Sequence, residues 1–229
     1  MLDALRAEVL EANLELVRRG LVIYTFGNAS AISWEHGMLV IKPSGVPYDK
    51  MTPDDMVITD LQGNIVEGKL KPSSDLATHT ALYREYPSIG GVVHTHSRHA
   101  TAWAQAGREI PCFGTTHADY FHGPIPVTDP LSAEEIQGDY EANTGTAILR
   151  RMAGIEPLDC PACLVAGHAP FCWGKSVADA AHNAVIVEEL AAMAWMTVTI
   201  NPGAQPISAA LRDKHHFRKH GPGATYGQQ

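Results

Sequence analysis

The chain has 229 residues, 45% hydrophobic and 18% charged, a balance that excludes disordered and fibrous classes and fits one α/β domain over residues 1–229. Its 17 basic and 25 acidic residues give a net charge of -8, which argues against a general nucleic-acid binder but leaves room for a local basic pocket that takes a small anion. No charged and then apolar leader opens the sequence, and the apolar stretch 184–200 carries Glu188 and Glu189, so the expectation is a cytoplasmic protein with no membrane partner.

Residues 2–19 place Leu2, Leu5, Val9, Ala12 and Leu16 at helical spacing, and Gly20 stops the run. Residues 21–24 form a short β-prone run that leads into a polar, small-residue turn over 25–30. A strand is expected over 38–41, closed by the tight turn Lys42-Pro43-Ser44-Gly45. Thr52-Pro53-Asp54-Asp55 reads as a helix start or turn, 56–59 as a strand, and Gln62-Gly63-Asn64 as a hairpin turn. Ser73 or Ser74 is the expected N-cap of a helix that runs to Tyr86. The apolar run 89–93 predicts a buried strand, and a helix follows over about 98–106. Residues 110–127 show no clear period. The capping box Ser132-Ala133-Glu134-Glu135 predicts one helix to about Met152. Short strands are expected over 163–166 and 171–173, a long helix from Ser176 to about Trp195, and a helical tail from Ala209 to about His216. This irregular alternation fits a mixed or antiparallel sheet covered by helices.

The chemistry gathers at element ends. His94-Thr95-His96 follows the 89–93 strand. Side chains two apart in a strand share a face at roughly 6.6 Å, a separation at which two imidazoles can converge on one metal ion. A His-x-His pair also recurs by chance, so other ligands are needed. His168 follows another apolar run and a glycine, and Asp75 heads a predicted helix; both are candidate ligands, although Asp75 could equally complement the helix dipole. Three histidines with an optional carboxylate leave positions open, which is catalytic rather than structural ligation. Three small-residue turns, Gly27-Asn28, Ser44-Gly45 and Ser73-Ser74, suit an anion, and Lys42 could add a charge. Cys160-Pro161-Ala162-Cys163 lacks a second pair and reads as incidental reduced thiols.

Longer motifs extend this reading. Phe26-Gly27-Asn28-Ala29-Ser30, Ile41-Lys42-Pro43-Ser44-Gly45-Val46, Lys71-Pro72-Ser73-Ser74-Asp75, Val93-His94-Thr95-His96-Ser97-Arg98-His99-Ala100-Thr101, Thr115-Thr116-His117-Ala118-Asp119-Tyr120-Phe121 and Arg218-Lys219-His220-Gly221 resemble the pentose-phosphate 4-epimerases of the class II aldolase/adducin-like family. The resemblance runs nearly end to end. It implies an α/β/α fold with a largely antiparallel central sheet and a C4 homotetramer with active sites between subunits. It implies zinc, with Mn or Co able to substitute, on Asp75, His94, His96 and His168. It places the phosphate of a ketopentose substrate at Gly27, Asn28, Ser44, Gly45, Ser73 and Ser74; Lys42, Thr115, Thr116 and His215 join them as expected substrate-binding residues. Asp119 and Tyr226, from a neighbouring subunit, would donate and accept protons, with His215 or His117 assisting. The implied reaction interconverts L-ribulose 5-phosphate and D-xylulose 5-phosphate by breaking and re-forming the C3–C4 bond.

Thr225 stands where a relative carries a second tyrosine, and Ala169 follows His168 in place of glycine. Two other functions remain open within the family: an aldolase that releases its products, and a non-catalytic adducin-like interaction module. Fuculose-phosphate aldolases carry a catalytic glutamate after the paired serines. Asp75 is one methylene shorter, which favours ligation, and three intact histidines argue against a degenerate module.

Overall fold

A computed structural model describes residues 2–220 and 223–225. Seven strands form one sheet in the order β4-β3-β2-β1-β5-β7-β6, and every neighbouring pair is antiparallel. They are β1 (Asn28–Ser33), β2 (Met38–Ile41), β3 (Val57–Asp60), β4 (Ile65–Glu67), β5 (Gly91–His94), β6 (Ala162–Leu164) and β7 (Pro170–Gly174). The helices are α1 (Asp3–Arg18), α2 (Leu76–Glu85), α3 (Arg98–Gln105), α4 (Thr115–Ala118), α5 (Ala133–Gln137), α6 (Tyr140–Arg151), α7 (Val177–Ile200) and α8 (Ala209–Phe217).

Alternation along β1 shows how the layers assemble. The Ser30 hydroxyl meets Tyr83 and His79 of α2, at 2.9 and 2.7 Å. Even-numbered side chains of β1 therefore face α2, against which α6 packs. Its odd positions, Ala29 and Ala31, face α1 and α7. Beside them in β5, a Cβ on Gly91 would lie 2.3 Å from the Val177 Cα, so the start of α7 approaches the sheet too closely for any side chain there. Helix α7 is long and apolar enough to cross a membrane by length and composition, yet it packs along β5 and β7. Its Glu188 accepts the backbone N–H groups of His99 and Ala100, at 2.9 and 3.0 Å, and so holds the first turn of α3 just after the His-x-His segment.

Several expectations need correction. Strand β1 begins within the turn expected over 25–30 and runs on through 31–33, which had no assignment, while the β-prone run 21–24 is irregular and ends at Tyr24, which has φ 54° and is 86% exposed. The reason is packing: a central strand covered on both faces takes Ala and Ser, which carry little β signal of their own. Asp75, not Ser73 or Ser74, is the N-cap of α2. The helix expected from Ser132 to Met152 breaks at Gly138, and Asp139 caps a new one by accepting from the Ala142 N–H. Helix α7 runs on to Ile200. Cys160 and Cys163 are buried free thiols, and burial pushes Cys160 up to about 12, which suits packing rather than redox chemistry.

Two core histidines make the fold acid-sensitive. Burial pushes His79 down to about 4, against a rise from the Asp75 charge, and burial likewise pushes His117 down to about 4. The unfolded chain therefore binds protons between pH 6.5 and 4 that the folded one refuses, so stability falls as pH drops through that window. Each ring is expected to cost about 2 kcal/mol by pH 5. Urea midpoints of chelator-treated protein should fall between pH 7 and pH 5; equal midpoints would contradict this.

Candidate active site

The site forms where three central strands end together. Asn28 opens β1 on the α2 face and pairs with His94, the last residue of β5, which in turn pairs with Phe171 of β7. The His94 ring stacks on Phe171, with centroids 4.2 Å apart and planes 19° from parallel. Its Nδ1–H donates to the Pro170 carbonyl at 3.0 Å, which leaves the lone pair on Nε2. That atom lies 3.1 Å from Nε2 of His96 and 3.2 Å from Nε2 of His168. His96 lies two residues beyond the last paired residue of β5, so the pairing foreseen for two strand residues is completed from a loop. His168 sits on the β6–β7 turn, where Gly167 has φ 71°.

Two nitrogens bound to one tetrahedral zinc ion at 2.0–2.1 Å lie about 3.3 Å apart. The observed separations match this spacing. Burial lowers the pKa of all three rings, His94 to about 3, so they are neutral at pH 7 and in the form that binds a metal. Each neutral ring can turn an Nε2 lone pair toward the point where the three meet. The donor set therefore fits a divalent metal ion.

Asp75 stands beside this trio. Burial raises its pKa, but the charge that His94 and His79 take on when protonated in acid, a 2.6 Å hydrogen bond from Asn28 and the like effect of His168 outweigh burial and lower it. Its carboxylate oxygens are not within the group of three converging nitrogens.

The three small-residue turns feed one pocket of about 350 Å³ that also holds the histidines. Gly27, Asn28, Lys42, Ser44, Gly45, Ser73, Ser74, Asp75, His94, His96 and His168 all line it. Cross-bonds bring the turns together: the Ser44 N–H donates to the Lys71 carbonyl and the Ser73 N–H to the Lys42 carbonyl, each at 2.9 Å. Gly27 has φ 75°, and a Cβ there would meet Val22 at 2.7 Å, so no other residue fits without strain. Lys42 is 2% exposed, and among the described residues its ammonium donates only to the carbonyls of Thr25 and Pro43, at 3.3 and 3.2 Å. No carboxylate offsets its charge among the described residues, and burial pushes it down to about 8. A buried lysine without a carboxylate partner, on a pocket wall that also carries the Ser44, Ser73 and Ser74 side chains, is an arrangement that can take an anion.

Other predicted residues lie elsewhere. Asp119 caps the end of α4 and is clasped by α8 and the residues after it: His215 at 3.0 Å, Arg218 at 3.0 Å and Lys219 at 3.2 Å. Burial raises its pKa, but these partners outweigh burial and keep it a carboxylate. Neither Asp119 nor His215 lines the histidine pocket. Thr115 begins α4, and Thr116 borders a separate hollow with Phe113 and Leu190. His117 is buried and donates from Nε2 to the Gly123 carbonyl, which makes it a core residue. Tyr226 lies outside the described residues. Sequence reasoning missed Thr25, Phe26, Tyr140 and Glu141, which line the pocket. For the last two, the helix-breaking Gly138 followed by a second cap, Asp139, was the available signal.

A seven-stranded antiparallel sheet between helices, with three convergent histidines at its strand ends, is the architecture of a class II aldolase. The chain belongs to that family: the model for the class II aldolase and adducin N-terminal domain matches residues 7–195. It is 58% identical over 228 residues, covering 100% of both chains, to the L-ribulose-5-phosphate 4-epimerase UlaF of Salmonella paratyphi A, and equally to that of Salmonella typhi. Among solved structures, an L-fuculose 1-phosphate aldolase shares the fold at TM-score 0.80 with 22% identity, over 94% of this chain and 95% of that one. The L-fuculose-1-phosphate aldolase of Thermus thermophilus matches at TM-score 0.66 with 25% identity, over 89% and 98%.

Proposed function

We propose that this protein is a metal-dependent L-ribulose-5-phosphate 4-epimerase that yields D-xylulose 5-phosphate. The observation that carries the reading is one pocket that joins three convergent imidazole nitrogens to an uncompensated buried lysine. Such a pocket takes a phosphate at one end and a metal-binding hydroxyketone at the other. The full-length relatives named as epimerases support it.

The C4 hydrogen of the substrate is β to the ketone and not acidic, so removing and returning it would be slow. Cleaving and re-forming the C3–C4 bond inverts C4 without touching that hydrogen. His94, His96 and His168, with Asp75 as a fourth ligand, would hold the metal. Zinc fits these ligands, and Mn or Co can share them. When bound, the ion supplies Lewis-acid stabilisation of the negative charge that develops on the ketone side of the cleaved bond.

The protein's own groups do the rest. Lys42 and the turns at 27–28, 44–45 and 73–74 grip the phosphate, so the glycolaldehyde phosphate fragment stays bound while its carbonyl turns over. Asp119 takes or returns the proton of the C4 oxygen on one face, and Tyr226 acts on the other. Asp119 does not line its own chain's pocket, so a second copy must bring it there. A C4 homotetramer with sites between subunits meets this need. The exposed Trp195 and Ile200, 55% and 85% accessible, supply apolar surface for such contacts.

The test is to incubate metal-loaded protein with L-ribulose 5-phosphate and resolve the products. D-xylulose 5-phosphate is expected to form without free fragments. Accumulation of dihydroxyacetone and glycolaldehyde phosphate would instead identify an aldolase.

A further inference from the structure

Of the three converging histidines, His168 lies outside the sheet, on the turn between β6 and β7. The carbonyl of Pro170 orients His94. His168 sits on a turn held by its own N–H to Val165 and that of Gly167 to Ala104, both at 2.9 Å, and by the Ala166 N–H to the Thr128 hydroxyl at 3.0 Å, and none of these orients the ring. The ring is oriented from another element. The Tyr140 hydroxyl lies 2.8 Å from His168 Nδ1. The two rings are 12° from parallel with centroids 6.1 Å apart. That separation is too large for face-to-face stacking, and it suits a hydroxyl that meets the imidazole edge close to its plane.

Tyr140 stands on firm ground. It is the first residue of α6, fixed by the Asp139 cap. The next carbonyl, that of Glu141, accepts the Thr78 hydroxyl of α2 at 2.6 Å. Further along α6, a Cβ on Gly145 would lie 2.7 Å from the Ala81 Cβ, so the two helices are in close contact. Helix α2 begins at Asp75, so the tyrosine is anchored to the element that carries the site's carboxylate.

We propose that Tyr140 is a positioning residue for the metal centre, whose hydroxyl accepts the His168 Nδ1–H and so presents the Nε2 lone pair to the ion. The inference rests on reading the three histidines as metal ligands. The phenol can play either part in the hydrogen bond. Without metal, Tyr140 O–H donates to Nδ1 and His168 Nε2–H donates to the bare Nε2 of His94, which accounts for the 3.2 Å contact. With metal, Nε2 gives up its proton, Nδ1 carries one, and the phenol rotates to accept it. Phenylalanine at 140 keeps the ring but strands the Nδ1–H in a half-buried site, which disfavours the binding tautomer.

The experiment compares zinc affinity of the wild type and Tyr140→Phe by competition with a chromophoric chelator, and reads the histidine tautomers of zinc-loaded protein by ¹⁵N–¹H correlation. A 10- to 100-fold loss of affinity in the variant is expected, the usual effect of losing a hydrogen-bond partner behind a ligand. In zinc-loaded wild type, His168 should carry its proton on Nδ1, with a downfield resonance that moves in the variant while that of His94 does not. Equal affinities, or a wild-type His168 with its proton on Nε2, would overturn the role of Tyr140. Failure of the wild type itself to bind zinc would instead overturn the metal reading.

Discussion

Replacing Lys42 by methionine is expected to lower kcat/KM by roughly 10²–10³-fold and to leave metal content unchanged. Methionine keeps much of the side chain's apolar bulk and removes only the charge. Truncating one partner of a desolvated charge pair costs about 2–5 kcal/mol, and each tenfold in rate is about 1.4 kcal/mol. In the free protein that partner is absent, and two carbonyls and the Tyr48 ring offset only part of the cost of burying Lys42. Two consequences follow. Its folded pKa lies below the unfolded value, so the unfolded chain holds the extra proton between about pH 8 and 10.5, and stability gains with pH across that window. Lys42→Met should abolish that gain and be no less stable than the wild type at pH 7. Inorganic phosphate should raise the melting temperature of the wild type and leave that of the variant unmoved. A wild-type kcat/KM in Lys42→Met would remove the anion site from the account.

His96→Asn is expected to lose metal and activity together, with metal bound at least ~10²-fold more weakly and turnover down by roughly 10³-fold. His94 would be a poorer probe, because it is buried against Phe171 and its loss would disturb the core as well as the site. His96 lies on a loop at the pocket wall, where its removal leaves the sheet intact. The check is metal content after dialysis, measured beside kcat on the same preparation. Full activity in a metal-free preparation would contradict the mechanism.

Residues proposed to carry chemistry were legible where local pattern and proposed role coincide. His94 and His96 follow an apolar run, His168 follows another, and small-residue turns mark the anion cradle; all of these fall in one pocket. That they meet is a consequence of strand order. β1, β5 and β7 are neighbours although β5 and β7 lie far along the chain, and no periodicity reports that adjacency. β1 itself was hidden because its positions between two helical layers take Ala and Ser. Tyr140 was hidden because its helix looked continuous with the one before it. Asp119 shows the opposite limit. The family motif names it, yet within one chain it is paired with Arg218, Lys219 and His215 away from the pocket, so the role proposed for it requires a second copy.

The central claim, that C4 is inverted through the carbon skeleton rather than through its hydrogen, is tested most directly in deuterated water. Zinc-loaded protein is incubated with L-ribulose 5-phosphate, and the product is read by proton NMR. The expected product is D-xylulose 5-phosphate that retains its original hydrogen at C4. Deuterium at C4, or no D-xylulose 5-phosphate at all, would contradict it.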